Sequence, residues 1–181
     1  MLLHDSRRDA RVSADGELVL LEEQDRRLWH TEQIREGTEL TQAALRRGAS
    51  GGYALQASIA ALHANAPTAK ETDWPQIAAL YELLARVNQS AVIEVHRAVA
   101  IAMARSCEEG LRLLDELGDR EELAEFYLLP AAQADLLRRL GRWTEAAEKY
   151  RTALEMATND IERRFLRRRL VEVENSRSSR E

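Results

Sequence analysis

Gln24, Asp25, Arg26 and Trp29 set an amide, a carboxylate, a guanidinium and an indole close together, directly after the apolar strip at residues 19–21. Three kinds of chemistry suit such a cluster: proton transfer, recognition of a small ligand, or a polar clasp that ties two segments of the fold. Carried on a helix over residues 20–36, Leu21 and Leu28 would share a buried face, with Gln24 and Asp25 between them, Trp29 at its edge and Ile34 outside it. As sequence neighbours, Asp25 and Arg26 satisfy each other only awkwardly. Each is expected to bond a different segment, such as the group Arg7, Arg8 and Arg11 or a loop carbonyl. These residues alone leave the clasp and the ligand pocket both open.

No other spacing in the chain builds a reaction centre. His4, His30, His63 and His96 stand outside any H-E-x-x-H or His–carboxylate pairing at ligand spacing, so no metal site is expected. There is no glycine-rich phosphate loop, no G-x-S-x-G elbow and no Cys–His nucleophile motif. The expectation is a protein without enzymatic activity and without a cofactor. Its single cysteine, Cys107, excludes an internal disulfide, suits a reducing compartment, and reads as a small apolar filler at a helix start.

The elements that would carry these residues are helices. With 181 residues, 45% of them hydrophobic and 31% charged, the chain fits one ordinary globular domain. Only three prolines and eight glycines occur, mostly between periodic segments. Gly37, the cluster Gly48, Gly51 and Gly52, the stretch at 66–68, Gly118 and Gly141 divide the sequence into pieces of helical length. In TDWPQIAALYELLARV, Thr72 or Asp73 can cap a first turn, Pro75 sits where its missing N–H costs nothing, and Ile77, Leu80, Tyr81 and Leu84 share a face. The nearest approach to a strand is a short extended piece at 17–21, behind the Asp15-Gly16 turn. No apolar run approaches the ~18 residues that span a membrane, and the opening MLLHDSRRDAR lacks the apolar stretch of a secretion signal, so the expected location is the cytoplasm.

With a net charge of −5 the molecule as a whole repels a phosphate backbone. The one basic run, RRFLRRR at 163–169, is diluted by Glu162, Glu172 and Glu174, with Arg164 and Arg168 stacked one turn apart and Phe165 and Leu166 pointing elsewhere. It reads as a solvated face, as does the run Asp119-Arg120-Glu121-Glu122.

A repeat is present. GRWTEAAEKYRTALEMATND, at 141–160, has the pattern of the second half of a tetratricopeptide repeat, with Ala146, Tyr150 and Ala153 on one face and Ala134 and Leu137 at matching positions on the preceding helix. Moving back 36 residues reaches Ala98, Ile101, Gly110, Leu114 and Leu117, four of which are equivalent in size or polarity. The predicted fold is all-α: stacked antiparallel helical hairpins in a tetratricopeptide-like right-handed superhelix, a single domain over 1–175. Within it lie an amino-terminal segment at 1–36, divergent helical pairs at 37–87, two repeats at 88–160 and a capping helix at 161–175, followed by a frayed tail at 176–181. The groove lined by the first helices of each pair would include Arg97 and Gln133.

The motif series LLHDSRRDAR, GELVLLEEQDRRLW, YALQASIAALHA, TDWPQIAALYELL, SAVIEVHRAVAIAM and LLRRLGRWTEAAEKYRTAL resembles, in order, the carboxy-terminal tetratricopeptide-like extension of extracytoplasmic function (sigma-24-like) RNA polymerase sigma factors. Gln24, Asp25, Arg26, Trp29, Trp74, Tyr81 and Arg97 stand as that pattern expects; His30, Ala91, His96 and Ser106-Cys107 depart from it. The resemblance implies a regulatory, protein-binding tail that lacks the promoter-binding regions. Its partners would be those regions of the same factor, core RNA polymerase, or both, with DNA reached only through the parent protein. A homodimer is a further possibility that odd apolar faces on a truncated stack allow. The alternative function is a small-molecule sensor with a pocket at the QDRxxW motif.

Overall fold

The computed structural model describes residues 2–178, and among them every regular element is helical. The β-type pairing is an isolated antiparallel bridge between Val12 and Leu18, closed around the Gly16 turn by Ser13 N–H to the Glu17 carbonyl and Val19 N–H to that of Arg11. The chain forms two compact units, Met1–Gln89 and Ser90–Glu181.

The first unit contains α1 (Leu2–Asp5), α2 (Thr31–Arg46), α3 (Gly52–Asn65) and α4 (Trp74–Val87), with α1 resting on α2 and α3, and α3 packed on both α2 and α4. Helix α4 starts as its sequence suggests, because the Asp73 carboxylate accepts the Gln76 N–H at 3.0 Å. Ile77 and Leu84 are fully buried below it, while Leu80 and Tyr81 lie half-exposed beside them. Gly37 does not separate two elements. It lies inside α2, where an added Cβ would stand 2.8 Å from Leu3 Cγ, so the missing side chain lets α1 sit against α2.

Residues 20–36 are not one helix. The Asp25 side chain accepts the Arg27 N–H and starts a 3-10 turn at Arg26–Leu28, extended backbone at Trp29 ends it, and α2 begins two residues later. The apolar spacing that suggested a helix is misleading here: Leu28 is 51% exposed and Trp29 is buried.

The second unit contains α5 (Ala91–Ala104), α6 (Cys107–Glu116), α7 (Leu128–Arg139), α8 (Trp143–Met156) and α9 (Asp160–Ser178), each packed on the next, and α5 also touches α7. Connections of two or three residues between α5 and α6, α7 and α8, and α8 and α9 fold these neighbours back as hairpins. Cys107 opens α6 and packs against the core, with Ser106 capping the helix through the Glu109 N–H. Residues 119–122 are exposed, and a 3-10 turn over Glu121–Leu123 follows in place of a full helix start.

All ten positions related by the shift of 36 are buried: Ala98, Ile101, Gly110, Leu114 and Leu117, and then Ala134, Leu137, Ala146, Tyr150 and Ala153. Alanines and Gly110 occupy the close helix approaches, and Tyr150 fills the space beside them. Burial pushes the Tyr150 phenol up to about 12.

In α9, Arg163 donates to the carbonyls of Leu154 and Ala157, both at 2.7 Å, and so closes the carboxy-terminal end of α8. Arg168 and Arg169 lie over the Phe165 ring at 5.6 and 5.4 Å, so this aromatic side chain faces the arginines instead of pointing away from them. The tail expected to fray at 176–181 begins in the last turn of α9; residues 179–181 lie outside the described residues.

Candidate functional site

The amino-terminal cluster is assembled by contacts that span long sequence distances. Arg26 reaches across to α3 and donates to the carbonyl oxygens of His63 at 3.2 Å and Ala66 at 2.8 Å. It thereby caps carbonyls that the end of the helix leaves unpaired. Its guanidinium carbon is also 4.3 Å from the centroid of the Trp29 ring, and that of Arg7 is 5.7 Å from the same ring. Trp29 is 5% exposed. The His63 ring meets the Trp74 ring edge to face at 5.2 Å, so Arg26, Trp29, His63 and Trp74 form one connected group.

Gln24 and Asp25 take lesser parts. Gln24 donates to the Val19 carbonyl at 3.2 Å, and its buried Oε1 has no partner. Asp25 does not reach Arg7, Arg8 or Arg11. It turns to its near neighbour Arg27, whose side chain binds it at 2.7 Å and holds its carboxyl below the usual range. The reason is geometric: a carboxylate that caps the turn at Arg27 N already lies beside the Arg27 guanidinium.

Burial and the arginine cluster together set the charge state of His63. Burial, followed by the nearby cations Arg7, Arg26 and His4, lowers His63 to about 4, so it is neutral at physiological pH. His4 is lowered by the same combination of burial and neighbouring arginines. His30 is held outside this group, with Nε2 at 2.6 Å from Asp9 and its backbone N–H donated to Ser6. By sequence spacing His63 is only a histidine outside any metal-ligand pattern. Its place at the end of α3, just ahead of Pro67, is the one local sign that its carbonyl would need a donor.

Replacement of Arg26 separates these contacts. Arg26→Gln is expected to destabilise the first unit by about 2 kcal/mol, combining two hydrogen bonds from a charged donor with the lost ring contact. Arg26→Lys should recover less than half, because an ammonium cannot span two carbonyls and cover a ring at once. Urea unfolding followed by tryptophan fluorescence measures both.

A hollow of the first unit lies elsewhere, on α2, α3 and α4. It is an open groove of about 600 Å³ whose apolar wall includes Leu55, Leu62 and Leu80, with Thr38, Gln42 and Asn65 among its polar groups. None of Gln24, Asp25, Arg26 and Trp29 lines it, although Ala66, whose carbonyl Arg26 binds, does. Tyr81 is half-buried on α4, and burial raises its phenol. In the second unit Arg97 pairs with Glu94 at 2.7 Å. Gln133 is buried and donates to Asp115 at 2.7 Å, so it is a core residue and not part of a groove surface. Among the described residues, no group of three or more His, Cys, Asp or Glu side chains is placed to hold a metal ion, and no helix is long and apolar enough to cross a membrane.

Residues 1–45, which carry the Arg26 and Trp29 part of this cluster, match a family of unknown function, DUF6596. The chain is 39% identical over 170 residues to an uncharacterized protein, R00370, of Rhizobium meliloti (strain 1021). That match covers 94% of this chain and 40% of the relative, so the chain spans well under half of the length of the protein it resembles. No solved structure matches it.

Proposed function

We propose that this chain is the regulatory, protein-binding portion of an alternative, extracytoplasmic function RNA polymerase sigma factor, acting in the cytoplasm to support or control transcription initiation. The observation that carries the reading is the run of helical hairpins whose 36-residue spacing puts small and bulky residues alternately into one core. Such a scaffold uses its interior for packing and leaves its surfaces for docking. The ordered motif series around Gln24, Asp25, Arg26, Trp29, Trp74, Tyr81 and Arg97 supports the assignment to sigma factors. The extra length of the Rhizobium relative leaves room for further regions in a parent protein.

In this reading the chain binds the promoter-binding regions of its parent factor, core RNA polymerase, or both, and touches DNA only through them. Large apolar side chains stand exposed on the first unit, including Tyr53 at 91%, Leu40 and Val87, as a contact surface would require. The test is co-elution on size exclusion of this chain with separately produced promoter-binding regions and with core polymerase. A joint peak with either supports the reading. Separate peaks with both, at tens of micromolar protein, contradict it.

A further inference from the structure

The first unit contains a cation that the fold does not neutralise. Among the described residues the Arg7 side chain makes no hydrogen bond and no ion pair, and its Nε is enclosed without a partner. The charges that act on it are Arg11 and Arg26, both of its own sign. A half-buried guanidinium in this position is costly unless something anionic joins it.

The nearby carboxylates are already committed. Asp5 is bound by Arg8 at 2.6 Å and by Gln33 at 3.0 Å, Asp9 by His30 at 2.6 Å, and Asp25 by Arg27. Glu71 acts on Arg26 through its charge, and its side chain accepts from Thr68 at 2.7 Å. Arg11 and Arg26 are themselves held by backbone carbonyls, of His4 for the first and of His63 and Ala66 for the second. Each still has N–H groups to offer, since a guanidinium carries five. A further donor, the Trp29 Nε1, is enclosed without a partner on the ring that Arg7 and Arg26 both approach. His63 and His4 are lowered first by burial and then by these same arginines.

We propose that Arg7 and Arg26, both against the Trp29 ring, and Arg11, whose charge acts on Arg7, bind a phosphate group, free or carried by a small metabolite. A tetrahedral oxyanion offers several acceptor oxygens to forked donors arriving from different directions, which a single surface carboxylate does not. The carboxylates tied to Arg8, Arg27, Gln33 and His30 keep the segment folded and leave Arg7 to the ligand. This proposal does not depend on the sigma-factor reading, and its test involves no transcription partner.

The test is calorimetric titration of the whole chain with inorganic phosphate and, in a parallel arm, with a nucleoside monophosphate, at ionic strength fixed by sodium chloride. The expected result is saturable binding with a stoichiometry of one. Tighter binding of the nucleotide assigns the site to a phosphorylated metabolite, and equal or weaker binding assigns it to free phosphate. Arg7→Gln should weaken binding about tenfold or more, the loss of a hydrogen bond to a charged group, and Arg7→Lys should restore part of it. If Arg7→Gln does not fold, Arg11→Gln, in an exposed residue, takes its place with the same expected loss. Absence of saturable binding in both arms, or affinity unchanged in the folded arginine variants, overturns the proposal.

Discussion

Gly110→Val is expected to cost the second unit about 3 kcal/mol, because the helices α5 and α6 meet where that side chain would have to stand. A Cβ at position 110 would lie 2.3 Å from Ala102 Cβ, 2.8 Å from the Ala98 carbonyl oxygen and 2.9 Å from Ala102 Cα. Two of the three obstacles are backbone atoms, so no change of rotamer relieves the overlap and the helices must separate. Gly110→Ala gives the sharper test of sign. Alanine in a helix interior is worth about 1 kcal/mol over glycine, so a glycine with free space beside it would be improved by the change. Here the overlap outweighs the propensity, and a net loss of about 1–2 kcal/mol is expected. Chemical denaturation followed by circular dichroism measures both variants. An Ala variant more stable than the parent would show that α5 and α6 do not approach as described.

The second large effect concerns acid. His63 has an ordinary value near 6.5 when the chain is unfolded and about 4 in the fold, so the folded protein resists its protonation. Its contribution to stability is complete above pH 6.5 and is lost as the pH falls through 4, by about 3 kcal/mol at roughly 1.36 kcal/mol per unit of pKa. The first unit of the parent protein should therefore weaken over this window more steeply than that of His63→Leu, which has no proton to take up there. Urea midpoints at pH 7.0 and 4.5 provide the comparison. Equal pH dependence in the two proteins would show that the ring is not enclosed among Arg7, Arg26 and Trp74.

The second unit was readable in the sequence because the information that sets it is periodic. A close approach of two helices needs a small residue, and the need recurs once per hairpin, so Ala98 falls on Ala134 and Gly110 on Ala146 under a shift of 36. The start of α4 was readable for a local reason, the Asp73 carboxylate three residues before the amide it accepts. The amino-terminal unit is different. Leu21 and Leu28 imitate a helical stripe, but the local backbone is decided by the Asp25 cap, and the position of Arg26 by carbonyls 37 and 40 residues away. Gly37 looked like a break because glycine weakens helices; its actual role depends on Leu3, which arrives from another element. The Arg26 clasp to a carbonyl was foreseeable as a class of interaction, while the neutral His63 and the unpaired Arg7 come from charges brought together only by folding.

In the proposed function this chain is a docking scaffold that acts on transcription through contact. Its most direct test is run-off transcription by core RNA polymerase with the parent factor, intact or lacking residues 1–181 of this sequence. Removal is expected to change initiation from the cognate promoter by at least about fivefold, the lower end of a coupling of 1–3 kcal/mol, and adding the separate chain back should reverse part of the change. Identical transcripts with and without the segment would contradict it.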